Sequence, residues 1–140
     1  PIITPIAIGL AAGGVFILGA LVVREIPPLR DFTANVLDHA RVGPLALIVF
    51  ITLFNGVAEE IFFRGALFSA IGVKRPVVIS TIVYTIATLA TGNPMLGFAA
   101  ITLGFVLGLE RRASGGILAP ILTHVAWSTV MVFAMPPLFA

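Results

Sequence analysis

Four stretches of this 140-residue chain contain no Asp, Glu, Lys or Arg: Pro1–Val23, Val42–Ala58, Pro76–Leu109 and Ala113–Ala140. A helix that crosses a bilayer needs about 17–25 consecutive apolar residues, so each run is long enough to span. The runs are continuously apolar rather than alternating, which argues against the strands of a membrane barrel. Only 10% of the residues are charged, against about 25% in a soluble domain, and mean hydropathy is +1.16. A water-facing surface cannot be built from so few charges. The expected fold is all-α: a polytopic membrane helix bundle in one transmembrane domain over residues 1–140, with membrane lipid as its first partner.

Five hydrophobic segments and one amphipathic one follow from a pass along the chain. The first span runs from about Pro5 to Val23, and Gly9, Gly13, Gly14 and Gly19 offer it close helix packing. Pro27 and Pro28 break the chain. Beyond them Phe32, Val36 and Ala40 recur at four-residue spacing, with Arg30, Asn35, Asp38 and Arg41 elsewhere on the wheel. That pattern predicts a short amphipathic helix lying in the interface, with His39 a solvated bystander. Further spans are expected over about Gly43–Gly72, Val77–Ala90, Met95–Leu109 and Ile117–Ala134. Gly104 and Gly108 form a small-residue step, which speaks of packing rather than chemistry. Four basic residues at the Lys74 and Arg111 turns, against Arg24, Arg30 and Arg41 at the other end, place those turns on the cytoplasmic side. Basic residues are too scattered for a nucleic-acid footprint, so no nucleic-acid partner is expected. There is no cysteine, which removes disulfides and thiolate-bound metals. Pro1 stands where an initiator Met would, as expected of a piece of a longer protein, and Pro1–Val23 lacks the basic start of a signal peptide.

The chemistry lies between Asn55 and Gly65, where Glu59, Glu60 and Arg64 interrupt an apolar span. A charge at the bilayer centre costs about 2.5–3.5 kcal/mol even on the lenient insertion scale, so such residues face a protein interior or a wet cavity. Glu60 and Arg64 are four apart and share a helix face. Glu59 and Arg64 are five apart, about 140° around the helix. Glu60 is therefore the expected partner of Arg64. Glu59 is left freer, with Asn55 one turn before it, and an unpaired buried carboxylate suits a general base. The three charges could equally form a structural ion cluster. His124 and Ser128 share a face of the last span, flanked by Thr123 and Trp127. An acid on one span and a histidine on another are the minimum for water activation or charge stabilisation at a shared cavity.

Taken together these stretches resemble the CAAX-protease and bacteriocin-processing family, also called the Abi family. Glu59-Glu60-Ile-Phe-Phe-Arg64 matches its EExxxR motif, Phe105-Val-Leu-Gly108 resembles its FxxG motif, and His124-Val-Ala-Trp-Ser128 resembles its HxxxN or HxxxD motif. The order and spacing agree over residues 42–134, which would be the family core. Residues 1–41 then hold the first span and the interfacial segment. The resemblance implies an intramembrane endopeptidase in which Glu59 is the base, His124 stabilises the oxyanion with help from Ser128, and Glu60 pairs with Arg64. It also implies further spans before this core and a multi-pass place in a bacterial plasma membrane. Two positions depart from the pattern. Thr88 stands where the family's FxxxH histidine is expected, one turn after Tyr84, and Ser128 replaces Asn or Asp. A threonine hydroxyl can orient water but cannot take a proton near neutral pH.

Two functions remain open on the sequence. One is a membrane endopeptidase acting on a membrane-associated peptide or protein. The other is a pseudoprotease of the same fold that binds peptide or lipid, or serves as accessory to a partner membrane subunit. A proton-coupled carrier would be expected to show inverted repeats or matched broken helices, and none is visible. No cofactor is expected. A zinc ion wants three protein ligands, and Glu59, Glu60 and His124 supply three only if Glu60 gives up Arg64.

Overall fold

The computed structural model describes residues 1–140. Helix α1, Ile3–Val23, is wholly apolar. Pro27 and Pro28 do not merely end it. They open α2, Pro27–Asp38, because the fixed φ of proline suits the first helical turn, where an N–H would go unpaired anyway. A 3-10 turn, His39–Arg41, leads to Gly43 at φ 100°, a conformation open to glycine at little cost. Next comes α3, a continuous helix from Leu45 to Ile71, with a π segment at Ile61–Leu67 directly after the paired acids. Two helices then start at prolines: α4, Pro76–Leu89, and α5, Pro94–Ser114, whose cap Asn93 accepts from the Met95 amide at 2.9 Å. The last, α6, is Leu118–Ala134, followed by a short 3-10 turn at Pro136–Phe139.

Three helices, α1, α3 and α5, are long and apolar enough to cross a membrane. The two remaining apolar helices, α4 with 14 residues and α6 with 17, are shorter. The distribution of side chains is inverted relative to a soluble protein. Glu60, Arg64, Ser80, Thr123, His124 and Ser128 are buried, whereas Phe50, Phe54, Phe62, Ile82, Ile101 and Phe133 are exposed. Water would oppose both halves of that pattern, while lipid favours both. The protein is an all-α membrane bundle.

Small residues set the helix contacts. A Cβ on Gly9 would collide with the Thr123 carbonyl and lie 2.7 Å from the Ala126 Cβ, and one on Gly13 would lie 2.7 Å from the Val130 Cβ. Thus α1 lies directly on α6. Gly14 and Gly19, also expected to pack, meet nothing within 4 Å. On α5, Gly104 and Gly108 face α4 and the buried Arg64. The interfacial helix is anchored to the bundle through one residue. Its buried residue is Leu37, in a small cluster with Ala20 and Met135, whereas Phe32 is exposed.

Candidate active site

The polar interior is built around α3. Glu60 is fully buried, and its Oε1 accepts from Arg64 Nη1 at 3.1 Å. This is the pair that four-residue spacing predicts. Arg64 is held on two more sides: Nη2 donates to the Gly104 carbonyl at 3.1 Å, and the guanidinium lies over the Tyr84 ring, 4.5 Å from its centroid. A Cβ on Gly104 would sit 3.0 Å from Arg64 Nη2, so glycine makes room for the cation. The π segment begins immediately after Glu60. Within it the Arg64 carbonyl accepts from Arg111 Nε at 2.8 Å, tying the widened turn to α5. Such π turns recur at functional sites.

A contact that spacing could not reveal crosses to α6. His124 Nδ1 lies 2.7 Å from the same Glu60 Oε1. A carboxylate only accepts, so Nδ1 carries a proton, and the imidazole is fixed in orientation. Its Nε2 points to Glu59, 3.9 Å from Oε2. Gly56 allows this approach, since a Cβ there would be 3.2 Å from the imidazole Cδ2.

Glu59 is not the unpaired buried carboxylate that the spacing argument expected. Oε1 accepts from Asn55 Nδ2 at 3.0 Å and Oε2 from the Tyr84 hydroxyl at 2.8 Å, and its side chain is 30% exposed. The exposure is to a cavity of about 680 Å3 between α2, α3, α4, α5 and α6. Glu59, Tyr84, Thr88, His124 and Ser128 all line it. Thr88 lies one turn beyond Tyr84 and donates its hydroxyl to the Tyr84 carbonyl at 2.8 Å. Ser128 is buried, one turn beyond His124.

The candidate residues therefore divide by position. Glu59, His124, Thr88 and Ser128 share the cavity, while Glu60 and Arg64 lie behind it and hold His124 in place. Thr123 turns away, donating towards Glu110 Oε2 at 2.7 Å and lying 2.9 Å from the Pro5 carbonyl. Zinc ligation would have to displace both the Arg64 and His124 contacts of Glu60, and no group of three His, Asp or Glu side chains is placed to hold a metal ion. His39, expected to be a bystander, lines the same cavity. Sequence could not place it there, because the placement depends on how α2 docks. Nor could spacing show Tyr84 as the donor to Glu59, 25 residues away in sequence.

Comparison with known families adds one result. The model for the family described as type II CAAX prenyl endopeptidase Rce1-like matches residues 41–130. That range takes in Glu59, Glu60, Arg64, Thr88, His124 and Ser128. No curated protein and no solved structure matches the chain.

Proposed function

The chain belongs to the Rce1-like family of type II CAAX prenyl endopeptidases, and on that premise we propose that it hydrolyses a peptide bond of a membrane-associated, lipid-modified peptide, with Glu59 as general base. A water seated against Glu59 Oε2 and His124 Nε2 gives its proton to Glu59 as its oxygen attacks the carbonyl carbon. The oxyanion that develops meets the Ser128 hydroxyl and the Nε2–H of an imidazolium His124, doubly protonated between the Glu59 and Glu60 carboxylates, in a largely apolar cavity. Glu59 then passes its proton to the leaving nitrogen and the C–N bond breaks. Asn55 and Tyr84 hold the carboxylate in aim, and Glu60 with Arg64 fixes the imidazole. These last four are positioning residues.

The observation that carries this reading is the convergence of Glu59 and His124, from two different helices, on one cavity of the bundle. A second cavity, about 290 Å3 and almost wholly apolar, shares Leu96, Trp127 and Met131 with the first. It offers a place for an isoprenoid chain beside the scissile bond. For the whole chain we propose five crossings, by α1 and α3 to α6, with α2 at the surface. A bacterial plasma membrane is the proposed location, in keeping with the bacteriocin-processing members that the motifs resemble.

One observation favours the second reading, a pseudoprotease with a partner membrane subunit. Thr88 fills the position of the family's histidine, and its hydroxyl proton is already committed to the Tyr84 carbonyl. Cleavage of prenylated and unmodified peptides by purified protein separates the two. The hydrolytic reading expects cleavage of the prenylated peptide that is lost in Glu59→Gln. Prenylated peptide bound intact by both proteins would instead establish the pseudoprotease.

A further inference from the structure

The cavity is lined by four titratable side chains: His39, Glu59, Tyr84 and His124. Three are committed. His124 Nδ1 is bound to Glu60, with Nε2 turned to Glu59. The Tyr84 hydroxyl is donated to Glu59, and Glu59 accepts two hydrogen bonds. His39 differs. Its Nδ1 lies 3.1 Å from the Asn35 carbonyl, which only accepts, so Nδ1 carries the proton and Nε2 of the neutral ring keeps its lone pair. The side chain is exposed at the α2 end of the cavity.

The turn that carries His39 is held in place. Arg41 Nη1 donates to Asp38 at 3.0 Å and Nη2 to the Pro136 carbonyl at 2.9 Å. Asn93 Nδ2 donates to the Phe32 carbonyl at 2.8 Å, and Leu37 is buried against the bundle. Asp38 and Arg41, the charged groups beside His39, are thus paired with each other. Across the cavity the titratable groups are Glu59, Tyr84 and His124. At about 680 Å3 the cavity has room for many waters at about 30 Å3 each.

We propose that His39 is the second proton-handling group of this site, exchanging protons through Nε2 and cavity water between the reaction centre and bulk solvent. The proposal rests on the hydrolytic reading above. In that reaction the C–O bond forms, the C–N bond breaks, and Glu59 carries one proton from water to nitrogen. The new carboxyl then loses its proton through cavity water to His39 Nε2, which releases it to solvent, and the freed amine takes a proton up from solvent. Histidine is suited to this because imidazole gains and loses protons near neutral pH. His39 precedes the family-matched residues 41–130, so this chain supplies from its interfacial turn what Thr88 cannot.

The test has two arms on the intact protein in detergent. In the first, turnover of a prenylated peptide is followed against pH for the native protein, His39→Gln, and His39→Gln with Thr88→His. The expectation is a fall in kcat of about 10²-fold in His39→Gln, an unchanged KM, loss of one limb of the pH profile, and partial recovery with Thr88→His. A change in KM alone, or an unaltered pH profile, overturns the proposal. In the second arm, NMR of 15N-labelled histidine follows the titration of His39 in native and Glu59→Gln protein. Replacing Glu59 should shift the His39 Nε2 resonance, because both groups line one cavity. No shift overturns the proposal. If the native protein cleaves nothing, the hydrolytic reading falls, and the NMR arm alone decides whether His39 is coupled to Glu59.

Discussion

Glu60 is the residue on which the polar interior turns, since one of its oxygens receives both Arg64 and His124. Both carboxylate and guanidinium are wholly out of solvent. Removing one member of a buried pair leaves an uncompensated charge, typically at a cost of about 3–5 kcal/mol. Arg64→Leu should therefore accumulate poorly as folded protein, and adding Glu60→Gln should restore part of the loss. Equal thermal stability of the single and double variants in detergent would mean that Arg64 owes its place to Gly104 and Tyr84 instead. The Glu60–Arg64 pair was legible because a helix fixes what four-residue spacing brings together. The bonds from His124 to Glu60 and from Tyr84 to Glu59 were not, since they join residues 64 and 25 positions apart. Spacing predicts faces, and only packing decides which faces meet.

At the scale of elements, runs without charge marked the apolar regions, with α4 and most of α5 sharing the single run Pro76–Leu109, because charge is costly wherever backbone crosses lipid. The π segment left no such mark. Its seven residues, Ile61–Leu67, hold no proline and a single glycine, Gly65, and the turn widens where Arg111 reaches the Arg64 carbonyl. The α1–α6 contact is a further element-level feature that sequence narrowed without settling. Four glycines were candidates, and two of them meet α6. Without a hydrophobic drive between helices in lipid, such contacts depend on close packing. Gly13→Ala should be destabilising by about 1–3 kcal/mol through overpacking against Val130. Gly14→Ala, facing open space, should be neutral or slightly stabilising. Thermal melts of the two variants in detergent check this, and equal effects would contradict the direct contact of α1 with α6.

Across the whole molecule, the cavity opens at one end of the bundle, where α2, the start of α3 and the end of α4 meet. The basic turns at Lys74 and Arg111 lie at the opposite end, where α3 and α5 finish. The absence of cysteine makes single-cysteine labelling a clean probe of that arrangement. Cysteines at Val42 and Gly92 should react with an impermeant reagent from one side of the membrane, and cysteines at Val73 and Ser114 only from the other. Labelling of Gly92 and Val73 from the same side would mean that α4, with its 14 residues, does not cross. The account's central claim is that Glu59 activates a water in this cavity. Its most direct test is single-turnover cleavage of a prenylated peptide in oxygen-18 water, read by mass spectrometry of peptide and protein. The prediction is one labelled oxygen in the new peptide carboxylate, none in Glu59, and a rate at least about 10²-fold lower in Glu59→Gln. Label in Glu59 itself, or equal rates in the two proteins, would contradict it.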